Sequence, residues 1–182
     1  MLLSRWFVLP LSLLVLTFPA PTFGGHAGHP NPVEATCQTA AFYSPHGGTA
    51  AAIGRVLATA ERRIWVAAYS LTHADLVASL AGASARGVEV AVKADKVQSA
   101  GQAQQIAIAQ LQDAGVIVEV STQSRLLHDK FAVVDERWVI TGSFNWTASA
   151  ENRNRENVLI LDCPDLAQNF AAEWVLILPD AP

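Results

Sequence analysis

Residues 126–158 read LLHDKFAVVDERWVITGSFNWTASAENRNRENV. Two short β-prone runs in this segment, Lys130–Val134 and Trp138–Thr141, have almost nothing between them, which predicts a β-hairpin. If Asp135 and Glu136 are the two turn residues, the strands pair in one definite register. The predicted opposed pairs are Val134 with Arg137, Ala132 with Val139, Lys130 with Thr141, and His128 with Ser143.

Four polar side chains gather at one end of this predicted hairpin. Directly opposed residues share a face of a sheet, so one face receives His128, Lys130, Ser143 and Asn145. The other face receives an apolar core set, namely Phe131, Val133, Trp138, Ile140 and Phe144. The polar set suits a phosphodiester, because an imidazole attacks phosphorus or moves protons, while ammonium, hydroxyl and amide groups donate to phosphate oxygens. Gly142 lets a backbone or a ligand approach closely, since it has no Cβ.

Outside the hairpin, helices and strands alternate along the chain. Apolar spacing, caps and glycines predict helices at Gly47–Arg62, Thr72–Gly87 and 101–114, and strands at Ile64–Tyr69, Val88–Asp95 and Val116–Val120. A strand at Asn157–Leu161 and a closing helix at Pro164–Leu178 follow the hairpin. This order predicts an α/β fold, a single domain with a mixed β-sheet flanked by helices on both faces.

Composition excludes several classes of protein. The chain has 182 residues, of which 51% are hydrophobic, and that apolar content excludes global disorder and low-complexity structure. The formal net charge is −4, so a polyanionic partner would need a local cluster of positive charge rather than the whole surface. Two cysteines are too few for a disulfide scaffold or a four-thiolate zinc site.

The amino-terminal segment is predicted to direct export. Residues 1–25 combine an early Arg5 with the apolar run Trp6–Phe18, which is shorter than the roughly 20 residues a membrane-spanning helix needs. These features are typical of a signal peptide, with an uncleaved interfacial anchor as the alternative. We expect no stable membrane insertion and a periplasmic or secreted protein. Residues 26–40 are predicted to be a linker, and 41–182 the folded domain.

Export also bears on the two cysteines. Cys37 precedes the first predicted helix and Cys163 follows the last predicted strand. In an oxidising compartment a disulfide between them would close a loop of 126 residues (163 − 37) and tie down both ends of the domain. Two free, buried thiols are the alternative.

The hairpin segment also carries a known signature. The pattern His128-x-Lys130-x4-Asp135-x6-Gly142-Ser143-x-Asn145 resembles the HKD motif of the phospholipase D superfamily, with every spacing intact. Residues 42–45 (FYSP), 68–72 (AYSLT) and 87–90 (GVEV) look like the small bacterial exported endonucleases of that superfamily. The resemblance covers roughly residues 42–177.

The resemblance implies a role for each motif residue. His128 would be the nucleophile that forms a covalent phosphohistidine, while Lys130, Asn145 and Ser143 would bind the phosphate oxygens. Glu156 would orient the histidine, although a plain surface carboxylate is an equal alternative. Asp135, placed in the turn, is predicted to be structural and to cap turn amides.

One motif in the chain raises a question of stoichiometry. In-line displacement needs a nucleophile on one side of phosphorus and a proton donor on the other, and the chain has one HxK sequence. The chemistry and the resemblance both predict a homodimer with the site at the two-fold interface, where His128 of the second subunit is the general acid. His46 and His73 are the alternative internal acids. The scheme needs no metal and no cofactor.

The substrate is less constrained than the reaction. Candidate nucleic-acid contacts beside the motif are Lys93, Lys96, Arg125, Arg153 and Arg155. Trp146 is predicted to be exposed and able to stack on a base. These features favour a non-specific endonuclease acting on DNA, with RNA left open as a further substrate. The alternatives are a phospholipase D or cardiolipin-type lipid phosphodiesterase, and a non-catalytic nucleic-acid-binding module.

Overall fold

Helices and strands alternate in the structure as the sequence predicts. The computed structural model describes residues 29–121 and 125–177. Within them the elements are β1 (Gln38–Ser44), α1 (Thr49–Ala58), β2 (Arg63–Ala68), α2 (Ala74–Ala85), β3 (Glu89–Ala94), α3 (Lys96–Ser99), α4 (Gln102–Asp113), β4 (Ile117–Val120), β5 (Lys130–Val134), β6 (Trp138–Gly142), α5 (Ala148–Asn152), β7 (Glu156–Asp162) and α6 (Pro164–Leu176). The predicted leader, residues 1–25, lies outside the described residues.

The described strands form one mixed sheet in the order β1-β7-β6-β5-β2-β3-β4. β2, β3 and β4 are parallel to one another, because a helix returns the chain between each pair, whereas β5, β6, β7 and β1 pair antiparallel. The predicted mixed sheet is therefore confirmed. In residues 29–121 and 125–177, no helix has the length and apolarity that crossing a membrane requires.

Both faces of the sheet are covered, as predicted. One face packs against α1, α2 and α4 through a large apolar cluster that includes Ile53, Leu76 and Leu111. The other face packs against α6, where Trp174 stacks on Trp65 with ring centroids 4.9 Å apart. Burial on both faces explains why the central strands are nearly continuous apolar runs rather than alternating ones.

The register of the β5–β6 hairpin differs from the prediction by one residue. Asp135 and Glu136 are the central turn residues, with φ of 53° and 49°, but Val134 pairs with Trp138 rather than with Arg137. Arg137 is left out of the ladder, because its carbonyl accepts the Cys163 amide (2.9 Å).

A one-residue shift reverses the two faces of a strand. Phe131 and Val133 therefore pack beneath α6, whereas Ile140 and Phe144 belong to the cluster on the opposite face. The predicted single apolar face was wrong, because a sheet covered on both sides has no polar face.

Asp135 stabilises the end of the sheet that lies away from the polar residues. Its carboxylate accepts the backbone amides of Glu61, Arg62 and Arg63 at 2.8–2.9 Å. It therefore holds the α1–β2 connection rather than capping amides of its own turn. Partial burial raises the pKa of Asp135, but the hydrogen bonds from the three amides outweigh that effect and lower the pKa below its ordinary value.

Asp135→Asn is expected to destabilise the fold by about 1–2 kcal/mol at pH 7, because an amide nitrogen would face a backbone N–H. A carboxylate whose folded pKa is depressed stabilises the fold above its unfolded pKa, and that contribution is lost as pH falls through the folded pKa. The difference between the two proteins should therefore begin to shrink below about pH 4 and disappear only below the depressed pKa of the folded state. Urea unfolding at several pH values measures it. Glu136→Gln, which removes exposed ion pairs with Arg62 and Arg63, is the matched control and should cost under about 0.5 kcal/mol.

The two ends of the described domain are joined covalently. Cys37 and Cys163 form a disulfide, as predicted, and a disulfide is typical of an oxidising compartment. β1 starts at Gln38, so residues 38–40, which were predicted to belong to the linker, are in fact strand. The short helices α3 and α5 were not predicted.

Candidate active site

The polar residues singled out in the sequence collect at one edge of the sheet. We call this the site edge: β2, β3 and β6 end there, and β5 and β7 begin there. The Tyr69 amide donates to the Asp129 carbonyl (3.0 Å) and the Trp146 amide to the Ser70 carbonyl (3.0 Å). The segments just before β5 and just after β6 are therefore both attached to the end of β2.

His128 and Lys130 stand together at the start of β5. His128 is exposed and Lys130 is half-buried. The Lys130 ammonium donates to the His128 carbonyl (2.7 Å) and lies 3.3 Å from the imidazole Nδ1. Burial lowers the pKa of Lys130 below its ordinary value, while the carboxylates of Asp129 and Glu156 oppose that shift. A desolvated ammonium beside an accessible imidazole provides a cation and a nucleophile within reach of one phosphate.

Ser143 and Glu156 form a second hydrogen-bonded pair at the site edge. The Ser143 hydroxyl donates to Glu156 (2.6 Å), and Asn154 donates to the other carboxylate oxygen (2.9 Å). Among the described residues, no hydrogen bond joins Glu156 to His128, so the orienting contact implied by the resemblance is not the one seen. Glu156 instead fixes the serine and favours the ammonium form of Lys130.

Gly142 allows the turn from β6 into this pair. Its φ is +155°, and a Cβ here would collide with the backbone carbonyl of Asn157 on β7. The Ser143 amide donates to that same carbonyl (3.0 Å), and the Asn157 amide returns a bond to the Ser143 hydroxyl (3.1 Å). The close approach predicted for Gly142 is therefore made by the neighbouring strand.

Trp146, the residue after Asn145, anchors the end of the motif in the core. The indole is only 1% exposed, so the predicted exposed, base-stacking role of Trp146 was wrong. The Trp146 carbonyl accepts the amides of Thr72 and His73 (both 2.8 Å), which fastens the motif to the start of α2. The Asn145 Oδ1 atom is buried and has no hydrogen-bond partner among the described residues.

The five cations predicted as nucleic-acid contacts divide into two groups. Lys93 is 5% exposed, donates to the Trp174 carbonyl (2.9 Å) and lies over the Trp174 ring. It is therefore part of the core under α6, and its predicted contact with nucleic acid was wrong. The other four are exposed on segments that border the site edge, namely Lys96, Arg125, Arg153 and Arg155.

The two alternative acids differ in their surroundings. His46 is exposed in the loop after β1, with a φ of 67°. His73 precedes α2 and is half-buried, and its Nδ1 atom is buried without a partner in the described part of the chain. The helix predicted from Thr72 begins at Ala74, with His73 as the N-cap residue and no side-chain cap.

Sequence reasoning missed three residues that support the site. Tyr69 packs its ring against His128, with centroids 4.5 Å apart. Gln98 donates to the Tyr69 hydroxyl (2.9 Å), and the buried Asp95 accepts the amides of Val97, Gln98 and Leu127. Tyr69 follows β2, and Asp95 and Gln98 follow β3. A position just after the carboxyl end of a strand is the feature of the sequence that could have pointed to them.

Comparisons with known proteins agree with this geometry. Residues 53–175 match a family model described as "Cardiolipin synthase, PLD-like domain". A phospholipase D of Rickettsia conorii is 32% identical over 133 residues, 73% of this chain, and the mitochondrial cardiolipin hydrolase of Homo sapiens is 34% identical over 131 residues, 71% of this chain. The chain spans 66% and 51% of the length of these two relatives.

A solved structure shares both fold and sequence. Nuc from Salmonella typhimurium, a phospholipase D family member, matches with a TM-score of 0.74 and 31% identity, covering 77% of this chain and 93% of Nuc. Fold and sequence together therefore define the class of protein as phospholipase D-like. Because the family model spans more than half of the chain, the chain belongs to the phospholipase D-like family.

Proposed function

We propose that the protein is a non-specific endonuclease that cleaves DNA without a metal ion, with RNA left open as a further substrate. The distribution of exposed cations carries the proposal. Arg155 precedes β7 and Lys96 follows β3, and these strands lie two places on either side of β5. At about 4.8 Å per strand, β3 and β7 lie about 10 Å on either side of β5, which follows His128 and begins with Lys130. A polymer with regularly spaced phosphates fits such a row, because its neighbouring phosphates reach both sides while one is cleaved.

The chemistry proceeds in two displacements. A neutral imidazole of His128 attacks phosphorus, a P–N bond forms, and the P–O bond to the leaving group breaks. Lys130, Ser143 and Asn145 donate to the phosphate oxygens as charge develops. A second acid gives its proton to the leaving oxygen, then takes one from the water that cleaves the P–N bond. A phosphomonoester is released and both groups regain their starting protonation states.

The second acid is His128 of another copy of the chain. One imidazole cannot stand on both sides of one phosphorus, and a two-fold axis through the site edge supplies the second. The exposure of His128 supports this arrangement, because the ring is open to a partner. The disulfide fits a periplasmic or secreted location for the dimer.

A lipid phosphodiesterase is the second candidate, favoured by an apolar rim beside the site. Val97 and Leu126 are 61% and 58% exposed, and their segments are joined because Asp95 accepts amides from both. Lys96 and Arg125 flank them. Exposed branched side chains next to cations are the features with which a protein docks on an anionic lipid surface.

Supercoiled plasmid, and vesicles of phosphatidylcholine or cardiolipin, separate the two candidates when each is assayed in excess EDTA. The nuclease proposal predicts plasmid nicking that persists in EDTA and no release from vesicles. Replacing Lys96 and Arg155 by Gln should weaken plasmid cleavage and lower its salt dependence by about one charge per cation removed.

Substitutions in the apolar rim test the lipid candidate. If the lipid candidate holds, Val97→Ser with Leu126→Ser should abolish vesicle binding and cleavage. Ile106→Ser, at a similarly exposed position (54%) on α4, is the matched control and should leave both unchanged. Vesicle cleavage with intact plasmid would contradict the nuclease proposal, and plasmid binding without cleavage would favour the non-catalytic module.

A further inference from the structure

Tyr69 contacts both reactive side chains of the motif. It directly follows β2 and is half-buried. Its ring lies 4.5 Å from the His128 ring, tilted by 56°, and the Lys130 ammonium lies 5.2 Å from the same ring centroid. One aromatic face thus forms a wall behind the imidazole and a cation–π partner for the ammonium.

The tyrosine is itself fixed at both ends. Its backbone amide donates to the carbonyl of Asp129, between the two motif residues (3.0 Å). Its hydroxyl accepts a hydrogen bond from Gln98 on α3 (2.9 Å). The ring therefore cannot swing away without breaking bonds at its backbone and at its tip.

Asp95 ties this support to the motif strand. Its buried carboxylate accepts the Val97 and Gln98 amides with one oxygen (both 2.9 Å) and the Leu127 amide with the other (3.1 Å). Gln98, which donates to the Tyr69 hydroxyl, and Leu127, which precedes His128, are therefore both held by Asp95. This arrangement holds the ring and the imidazole in a fixed relation.

We propose that Tyr69 is a positioning residue for the phosphodiesterase reaction, which holds the His128 imidazole in attacking orientation and keeps Lys130 charged beside it. The aromatic ring performs this role, and the hydroxyl serves only to anchor the ring through Gln98. The inference rests on the phosphodiesterase chemistry of the site and holds for a nucleic-acid or a lipid substrate alike.

The electrostatics of Lys130 give the proposal a signature beyond packing. Burial lowers the pKa of Lys130, and Asp129 and Glu156 act against that shift. The ring face and the imidazole of His128 are its other neighbours. A ring quadrupole favours the ammonium form, so replacing the ring by an aliphatic side chain should lower the pKa of Lys130 further.

Kinetics on bis(4-nitrophenyl) phosphate, which has neither a base nor an acyl chain, test this role. Tyr69→Leu should lower kcat about 10- to 100-fold, since small misplacements of a reacting group cost that much, with KM changed under about threefold. The pKa of Lys130, followed by NMR of its ammonium group, should fall in this variant. Tyr69→Phe keeps the ring and loses only its hydroxyl, so it should stay within about threefold of the unmutated protein, with the pKa of Lys130 unmoved.

Proton NMR of His128 gives a readout that needs no turnover. The Tyr69 ring should shift the His128 ring-proton resonances upfield in the unmutated protein and in Tyr69→Phe, and the shift should be lost in Tyr69→Leu. If Tyr69→Leu fails to fold, Tyr69→Met, unbranched and of similar length, takes its place. An unmoved Lys130 pKa with unchanged kcat in the aliphatic variant, or equal losses in the Phe and Leu variants, would overturn the proposal. Failure to cleave plasmid would refute the nuclease proposal alone.

Discussion

Replacing His128 by alanine is expected to lower kcat at least about 10⁴-fold on every phosphodiester that the protein cleaves. The reason is that the P–N bond of the intermediate has no other nitrogen to form on, and the same substitution removes the proposed acid from the partner. His128 is exposed and lies before β5 rather than in the core, so the variant should unfold at the same denaturant concentration. Single-turnover kinetics with both proteins at equal folded concentration measures the loss.

His46→Ala and His73→Ala are the matched controls, because each removes an imidazole of the same size that the two-subunit scheme does not use. Both should keep kcat within about threefold. A loss comparable to that of His128→Ala in either variant would make that histidine the acid and remove the need for a dimer.

Mixed dimers test the shared phosphate directly. Unmutated and His128→Ala chains, unfolded together in equal amounts and refolded, should show about 25% of the activity of the unmutated protein, since one dimer in four has both imidazoles. Independent subunits would give about 50%. An alkaline denaturing quench with a phosphorus-labelled substrate should also trap label on the unmutated protein and none on His128→Ala.

The sequence predicts the architecture well because the elements that form the sheet have strong local signals. Apolar runs such as Ile64–Tyr69 and alternating valines such as Val88–Asp95 become β2 and β3 within one residue at most ends. Asp135 and Glu136 are the turn residues, as predicted, and both adopt the left-handed conformation that a tight hairpin requires. β1 was missed because an exposed edge strand held by β7 and a disulfide has no apolar pattern of its own.

The register could not be predicted, because a contact distant in sequence sets it. The backbone of Arg137 is bonded to Cys163, and its guanidinium to Asp162, and neither contact is visible in the hairpin itself. The motif residues still meet at one edge, because strand order rather than strand face brings them together. The burial of Lys93 could not be predicted from its own strand either. It is buried because α6 provides a carbonyl and an indole for its ammonium.

Breaking the disulfide is expected to cost about 4–5 kcal/mol of unfolding free energy, because the crosslink closes a loop of 126 residues and restricts the unfolded chain. Cys37→Ser with Cys163→Ala removes it. Alanine suits position 163, since this residue is buried and a hydroxyl there would lack a partner. Urea unfolding should give a lower midpoint and a steeper slope, because the unfolded chain is more expanded without the crosslink, and thiol reduction of the unmutated protein should reproduce that midpoint.

The same variant should keep its activity per folded molecule. Cys163 follows the last residue of β7, whereas Glu156 is the first, so a strand of seven residues, about 20 Å, separates the disulfide from the site edge. Stability and catalysis should therefore separate: kcat unchanged in buffer, but activity lost at lower urea concentrations than in the unmutated protein. If full reduction leaves the midpoint unaltered, strand pairing between β1 and β7, rather than the crosslink, holds β1 in the sheet.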